Sequence, residues 1–251
     1  MLRPRTDSGL PMIRDVGLTG LLVSFADRLG EPANRAALAF RAAVDAEGWD
    51  GVQETATSLT SVFLRFDPLM LDHDALRARL DALLAQADWR AASLPRGRRL
   101  WRIPAVLGGT CGPQFAEAAK AAGLDVDQAL KQVAGARVRV LSIGFAPGQP
   151  YMGELPEAWD IPRMQALNPQ VPEGALVVAI RQLIIFARPA PTGWRHIGQT
   201  AFRCFRPEAA QPFALRAGDE VTFRPITPDE LDEIAARDTS GDGGAVAEVL
   251  T

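Results

Sequence analysis

Gly144-Phe-Ala-Pro-Gly-Gln-Pro-Tyr-Met-Gly-Glu-Leu-Pro156 opens the most proline-dense part of the chain. Eight of the 19 prolines lie from Pro147 to Pro191, which rules out long helices there. Proline lacks the amide donor and its ring clashes with the preceding helical turn. The runs at 175–180, 183–186, 200–205 and 220–223 are short, apolar and β-like. Short strands joined by Gly/Pro turns predict a closed or nearly closed β-barrel.

Upstream the pattern changes. Gly20-Leu-Leu-Val-Ser-Phe25 suits a buried strand, and residues 34–47 place Ala37, Phe40 and Val44 on one helical face, with Gly48 as C-cap. Residues 52–57 and 61–66 alternate as two strands about a hairpin turn at Ser58-Leu59-Thr60. Asp72 caps a second helix carrying Leu76, Leu80, Leu83 and Leu84, and residues 99–103 read as a fourth strand. The order βαββαβ predicts a ferredoxin-like unit. The fold class expected is therefore α+β, with a ferredoxin-like domain at 14–98 and a barrel at 99–228. Two short helices fit at 108–134, one with Pro113 in its first position and one capped by Asp125. Thr227-Pro-Asp-Glu230 is a capping box that starts a helix running to about Ala236, so 229–251 reads as a helix and a flexible tail.

The polar inventory narrows the chemistry. The 251 residues contain two His, two Cys and two Lys against 25 Arg, with a net charge of −3. A balance near neutrality gives no electrostatic reason to expect nucleic acid or an anionic membrane. Two cysteines make no disulfide framework, and no apolar run approaches the roughly 20 residues that span a bilayer. The expected protein is soluble and cytoplasmic. Neither lysine sits in a phosphate loop, and zinc-protease and nucleophile-elbow motifs are absent. Asp238-Thr-Ser-Gly-Asp-Gly243 begins like a calcium loop, but Val249 stands where the bidentate carboxylate belongs, so no metal site is expected.

Five segments in register carry a resemblance: Gly144 to Pro156, Ile161-Pro-Arg163, Val171-Pro-Glu-Gly174, Pro191-Thr-Gly-Trp-Arg-His-Ile-Gly198 and Arg216-Ala-Gly-Asp-Glu-Val-Thr-Phe223. Together they resemble the family of the 5-oxoprolinase B-type subunits, over roughly residues 14 to 228. That family includes allophanate hydrolase subunit 1-like proteins, the sporulation-kinase inhibitor, and part of the urea carboxylase carboxyltransferase domain. The resemblance implies that the barrel is cyclophilin-like. It also implies a component of an ATP-dependent hydrolase that opens 5-oxoproline to glutamate, in a hetero-oligomer with a larger carboxyltransferase-like subunit. The alternatives it leaves are a binding module that inhibits a histidine kinase, and a carboxyltransferase component of a urea carboxylase or allophanate system. The chain departs from the family pattern at Gln132, Gln149, Leu167-Asn168, Thr192 and Gln199, which marks a divergent member.

Site residues follow from the same segments. Gly144, Pro147, Gly148 and Pro150 fix a rigid turn, either a barrel corner or a loop that brings backbone N–H groups to a ligand, with Phe145 at its tip. Tyr151 offers a hydroxyl beside it. Arg163, matching the family's Pro-Arg, could hold a carboxylate or phosphate, and Gln182 could both donate to and accept from a lactam. Trp194 serves as a wall or lid. His196 is the one histidine of this segment, and its apolar position in the family pattern favours a structural role. Cys111 and Cys204 are expected as small apolar fillers, and His73 as solvent-facing.

Overall fold

The computed structural model describes residues 9–250, which divide into two units at Arg96/Gly97. In the first unit, strands β1 (Met12–Asp15), β2 (Gly20–Ser24), β3 (Val52–Ser58) and β4 (Ser61–Phe66) form an antiparallel sheet in the order β1-β2-β4-β3. Helices α1 (Glu31–Glu47) and α2 (His73–Leu84) pack on one face of it. Leu21, Val23, Val62, Leu64 and Phe66 meet Ala37, Phe40 and Val44 of α1 and Leu76, Leu80 and Leu83 of α2. Each of the Val, Leu and Phe side chains among them contributes roughly 1.5–3 kcal/mol by leaving water, and Ala37 less. Gly48 takes the left-handed conformation that ends α1, and the Asp72 carboxylate accepts from Ala75 N–H to start α2.

The fourth strand of the expected βαββαβ unit does not join this sheet. The edge beside β2 is taken by β1, from the N-terminal side, and the strand that begins at Arg99 belongs to the second unit. Trp101 and Ile103 of this run face the barrel core, whose neighbouring strand at Glu220–Pro225 pairs with it. His73 is half-buried, its ring edge-on to Phe66 at 4.7 Å, and is not the solvent-facing group expected.

The second unit is mixed α and β around a closed seven-stranded barrel. Its elements are β5 (Arg99–Leu107), α3 (Phe115–Ala121), α4 (Val126–Gly135), β6 (Val138–Ile143), β7 (Pro150–Gly153), β8 (Asn168–Val171), β9 (Ala175–Ala179), β10 (Gln182–Ile185), β11 (Ala190–Thr192), β12 (Arg195–Gln199), β13 (Glu220–Pro225), α5 (Pro228–Arg237) and β14 (Val246–Val249). The barrel order is β6-β13-β5-β12-β9-β10-β7, and β7 pairs back with β6. β13 and β5 run parallel; the other barrel pairs are antiparallel. Every barrel strand sends alternate residues inward, among them Trp101, Ile103, Val140, Met152, Val178, Leu183, Ile197 and Phe223. Phe115 and Ala118 of α3 and Ala129 and Val133 of α4 complete this core.

Other boundaries differ from expectation for local reasons. Residues 200–205 form no strand; only an isolated bridge joins Phe205 to Phe213, and the barrel strand lies earlier, at β12. Pro113 precedes α3, which is preceded directly by Gln114, whereas Asp125 caps α4 with a complete capping box. The segment expected as a flexible tail is organised. Asp238 accepts from the N–H groups of Ser240, Gly241 and Gly243, and β14 pairs with Arg99–Arg102 of β5. The carboxylate that resembled a calcium ligand thus closes its own loop. Burial opposes the Asp238 charge, but these hydrogen bonds outweigh it and hold the carboxyl below its ordinary range.

Asp219, 1% exposed, accepts from Arg99 N–H at 2.9 Å, the Arg99 guanidinium at 2.5 Å and Arg216 N–H at 3.0 Å. Asp219→Ala is expected to cost about 3–5 kcal/mol in denaturant unfolding, because it strands a partly buried guanidinium. A cost below about 1 kcal/mol would show that the barrel does not depend on this contact.

Candidate functional site on the outer barrel wall

Strands β7, β10, β9 and β12 lie side by side, and their registers pair Tyr151 with Ile184, Ile184 with Val177, and Val177 with His196. Paired residues point to the same side, so these four form one row across the wall. Their neighbours Met152, Leu183, Val178 and Ile197 occupy the barrel interior. The row therefore faces outward, where Val177, Ile184 and Phe186 pack beneath Trp194, Val171 and Ala190. Gln182 shares this outer face, two residues from Ile184.

Trp194 is 4% exposed and organises the site. Its ring meets Tyr151 edge-on at 6.1 Å, and the Arg163 guanidinium carbon lies 5.2 Å from its centre. Arg163 is exposed and forms no ion pair or hydrogen bond with a described residue, so the cation–π contact holds it while its donors stay open. The backbone before and after Arg163 is tied down. Met164 N–H donates to Gly193 O at 2.7 Å, and Pro162 O accepts from Arg195 at 2.7 Å.

Two residues outside the candidates named from the sequence hold this strap in place. The Gln114 side-chain oxygen accepts from Asn168 Nδ2 and from His196 N–H, each at 2.8 Å, and Asn168 also donates to Trp194 O at 3.2 Å. Asn168 is visible in the sequence only as a departure from the family's second Pro-Arg. Gln114 carries no sequence signal, since it lies far upstream and meets the site through α3 packing on β12.

His196 is 9% exposed, with Nε2 2.9 Å from Gly198 O. Burial pushes its pKa down; hydrogen bonds to Gly198 and Gln199 oppose this without cancelling it. A neutral ring whose Nε2–H is spent on a backbone carbonyl is a packing group rather than a base aimed at a ligand. Cys204 is fully buried, which pushes its thiol far above the range where thiolate forms at neutral pH. Among the described residues no three His, Cys, Asp or Glu side chains are grouped to hold a metal, and no helix is long and apolar enough to cross a membrane.

The turn before β7 is built on left-handed backbone. Gly148 has φ +74°, and a Cβ there would sit 2.7 Å from Cys204 O, so only glycine fits. Phe145 has φ 69° and is 70% exposed. A non-glycine residue in that region costs about 1–3 kcal/mol, and here it projects an aromatic ring into solvent. Gly144 N–H bonds Gln149 O and Gln149 N–H bonds Ala146 O, while the N–H groups of Phe145 and Gly148 meet no described acceptor. Tyr151, Arg163 and Trp194 thus come together, Gln182 lies on the adjacent strand, Phe145, Pro147 and Gly148 form the turn leading into Tyr151, and His196 closes the far end of the row.

Residues 11–215 match the family model of the carboxyltransferase domain, subdomain C and D. The chain belongs to that family. It is 27% identical over 218 residues to the B-type subunit of 5-oxoprolinase from Bacillus subtilis, covering 84% of this chain and 91% of that protein. To the corresponding 5-oxoprolinase protein of Escherichia coli O157:H7 it is 34% identical over 148 residues, 58% of this chain and 68% of that one. The fold is that of a segment of Kluyveromyces lactis urea carboxylase, with TM-score 0.70 at 16% identity, covering 95% of this chain and 24% of the yeast chain.

Because burial lowers the His196 pKa, the unfolded chain binds its proton first as pH falls. Stability is then full above about pH 6.5, the unfolded value, and declines as pH drops toward the lower folded pKa. Replacing His196 with Gln is expected to flatten the pH 5–7 limb of a stability profile measured by urea unfolding. An unchanged limb would contradict the buried neutral assignment.

Proposed function

We propose that this chain is the B-type subunit of an ATP-dependent 5-oxoprolinase, working in the cytoplasm with a larger carboxyltransferase-like subunit. The observation that carries the reading is the open Arg163 guanidinium stacked on Trp194 beside Tyr151. A guanidinium with free donors on a fixed aromatic is suited to the carboxylate of a small acid. Kinship to the Bacillus subtilis and Escherichia coli proteins supports a cyclic amide as that acid.

In this reading Arg163 holds the carboxylate, and Gln182 and Tyr151 meet the ring. The backbone N–H groups of Phe145 and Gly148 offer donors to negative charge that develops at the lactam oxygen. ATP is the co-substrate that activates that oxygen by phosphorylation. One water then adds at the same carbon and the ring C–N bond breaks, freeing the amine and leaving an acyl phosphate, which a second water hydrolyses to the carboxylate and phosphate. ATP and two waters are consumed overall, giving glutamate, ADP and phosphate. The sequence has no phosphate loop, and at this site His196 is spent on a backbone carbonyl while the nearby Cys204 is buried, which fits dependence on a partner subunit.

Reconstitution with the larger subunit tests the proposal. ATP hydrolysis is expected to depend on 5-oxoproline, and Arg163→Ala to lower kcat/KM tenfold or more, chiefly through KM, with Arg163→Lys recovering part of it. A stoichiometric complex without 5-oxoproline-dependent turnover would overturn the reading.

A further inference from the structure

The outer wall also carries polar groups that no contact within the protein explains. Gln149 is 1% exposed, and its side-chain oxygen is buried without a hydrogen-bond partner. Gln182, 5% exposed, makes no side-chain hydrogen bond to a described residue, and neither do the hydroxyls of Ser142 and Tyr151. An isolated buried acceptor costs stability, so the Gln149 oxygen calls for a partner, and the side-chain donors of Ser142, Tyr151 and Gln182 nearby are uncommitted.

Strand register places them together. Ser142 of β6 pairs with Tyr151 of β7, and Gln182 of β10 pairs with Gly153 of β7, one position along the same face. The Gly144 N–H to Gln149 O bond extends the β6–β7 ladder past Ile143 and Pro150, so alternation puts Gln149 on the Tyr151 side. Neighbours in this pattern are about 5–7 Å apart, the size of one small ring.

We propose that Gln149, Ser142 and Gln182 join Tyr151 in a strip that recognises the amide edge of the bound ring. The Gln149 oxygen can only accept, so its partner must bring an N–H or O–H donor; an ionised carboxylate has neither, and the N–H of a lactam is one such donor. The Gln182 amide supplies a donor for the neighbouring carbonyl, and together they match the adjacent N–H and C=O of a lactam. Arg163 on Trp194, beside Tyr151, takes the acid. The inference rests on the cyclic-amide reading above and adds the residues that read the amide. Gln149 stands where the family pattern has an aromatic, and that departure is what places an amide at this position.

Titration calorimetry on the full chain with 5-oxoproline and with cyclopentanecarboxylate, a ring acid of the same size without the amide, tests it. The wild type is expected to bind 5-oxoproline at least tenfold more tightly. Gln149→Met should weaken 5-oxoproline about tenfold, leave cyclopentanecarboxylate unchanged and raise the Tm of the free chain, since the stranded acceptor is gone. Ser142→Ala should shift the same ligand preference in the same direction. If Gln149→Met weakens both ligands equally, or neither, the amide strip is overturned. Arg163→Ala reports on the underlying reading separately, because it should weaken both acids. If that variant changes neither while the Gln149 effect stands, the acid clamp fails and the amide strip survives. If the wild type binds neither ligand, both fall.

Discussion

Asp219 ties the start of β5 to the turn before β13 through a carboxylate that accepts two backbone N–H groups and a guanidinium. Its own backbone extends the tie, since Val140 N–H of β6 donates to Asp219 O. Three adjacent barrel strands are therefore referenced to one buried charge. A closed barrel has no free edge to absorb a register error, so a slip here would move residues on every strand to the wrong side of the wall. Arg99 shields the charge by packing its guanidinium 5.0 Å from the Trp101 ring.

The site depends on that closure indirectly. Because Met152, Leu183, Val178 and Ile197 must fill the interior, the intervening positions are forced outward. Tyr151, Gln182 and His196 acquire their neighbours from this alternation rather than from proximity in the chain. Trp194 then converts a flat wall into a site, covering the apolar part of the row and fixing Arg163 above it. The second layer, from Gln114 and Asn168, keeps the strap from lifting off Trp194.

Some of this is legible in the sequence. The proline spacing from Pro147 to Pro191 announces short strands, and the caps at Asp72, Asp125 and Thr227 stand where local pattern places them. These are local signals, decided within a few residues. The 99–103 run reads correctly as a strand but joins a different unit from the one its order suggests, because periodicity says which face is apolar and not which sheet will cover it. The run at 200–205 misleads for a related reason. Phe202 and Cys204 are buried, yet as a loop that backs Gly148 rather than as a ladder. The Asp238 segment reads as a frayed tail because its hydrogen bonds are made to its own backbone, which composition does not reveal.

Arginine in place of lysine and histidine, glycine where only left-handed backbone fits, and alternating apolar runs were determined by sequence alone. They were enough to point to amides, guanidinium groups and turns as the working chemistry. Only the tertiary structure decided which of those groups are free. Arg195 and Arg163 are equivalent in composition, but Arg195 is spent on Glu117 and Pro162 O while Arg163 is left open on an aromatic face. His196 and Gln149 exchanged importance for the same reason. Whether a polar group is satisfied depends on partners brought from distant strands, and no local pattern records that.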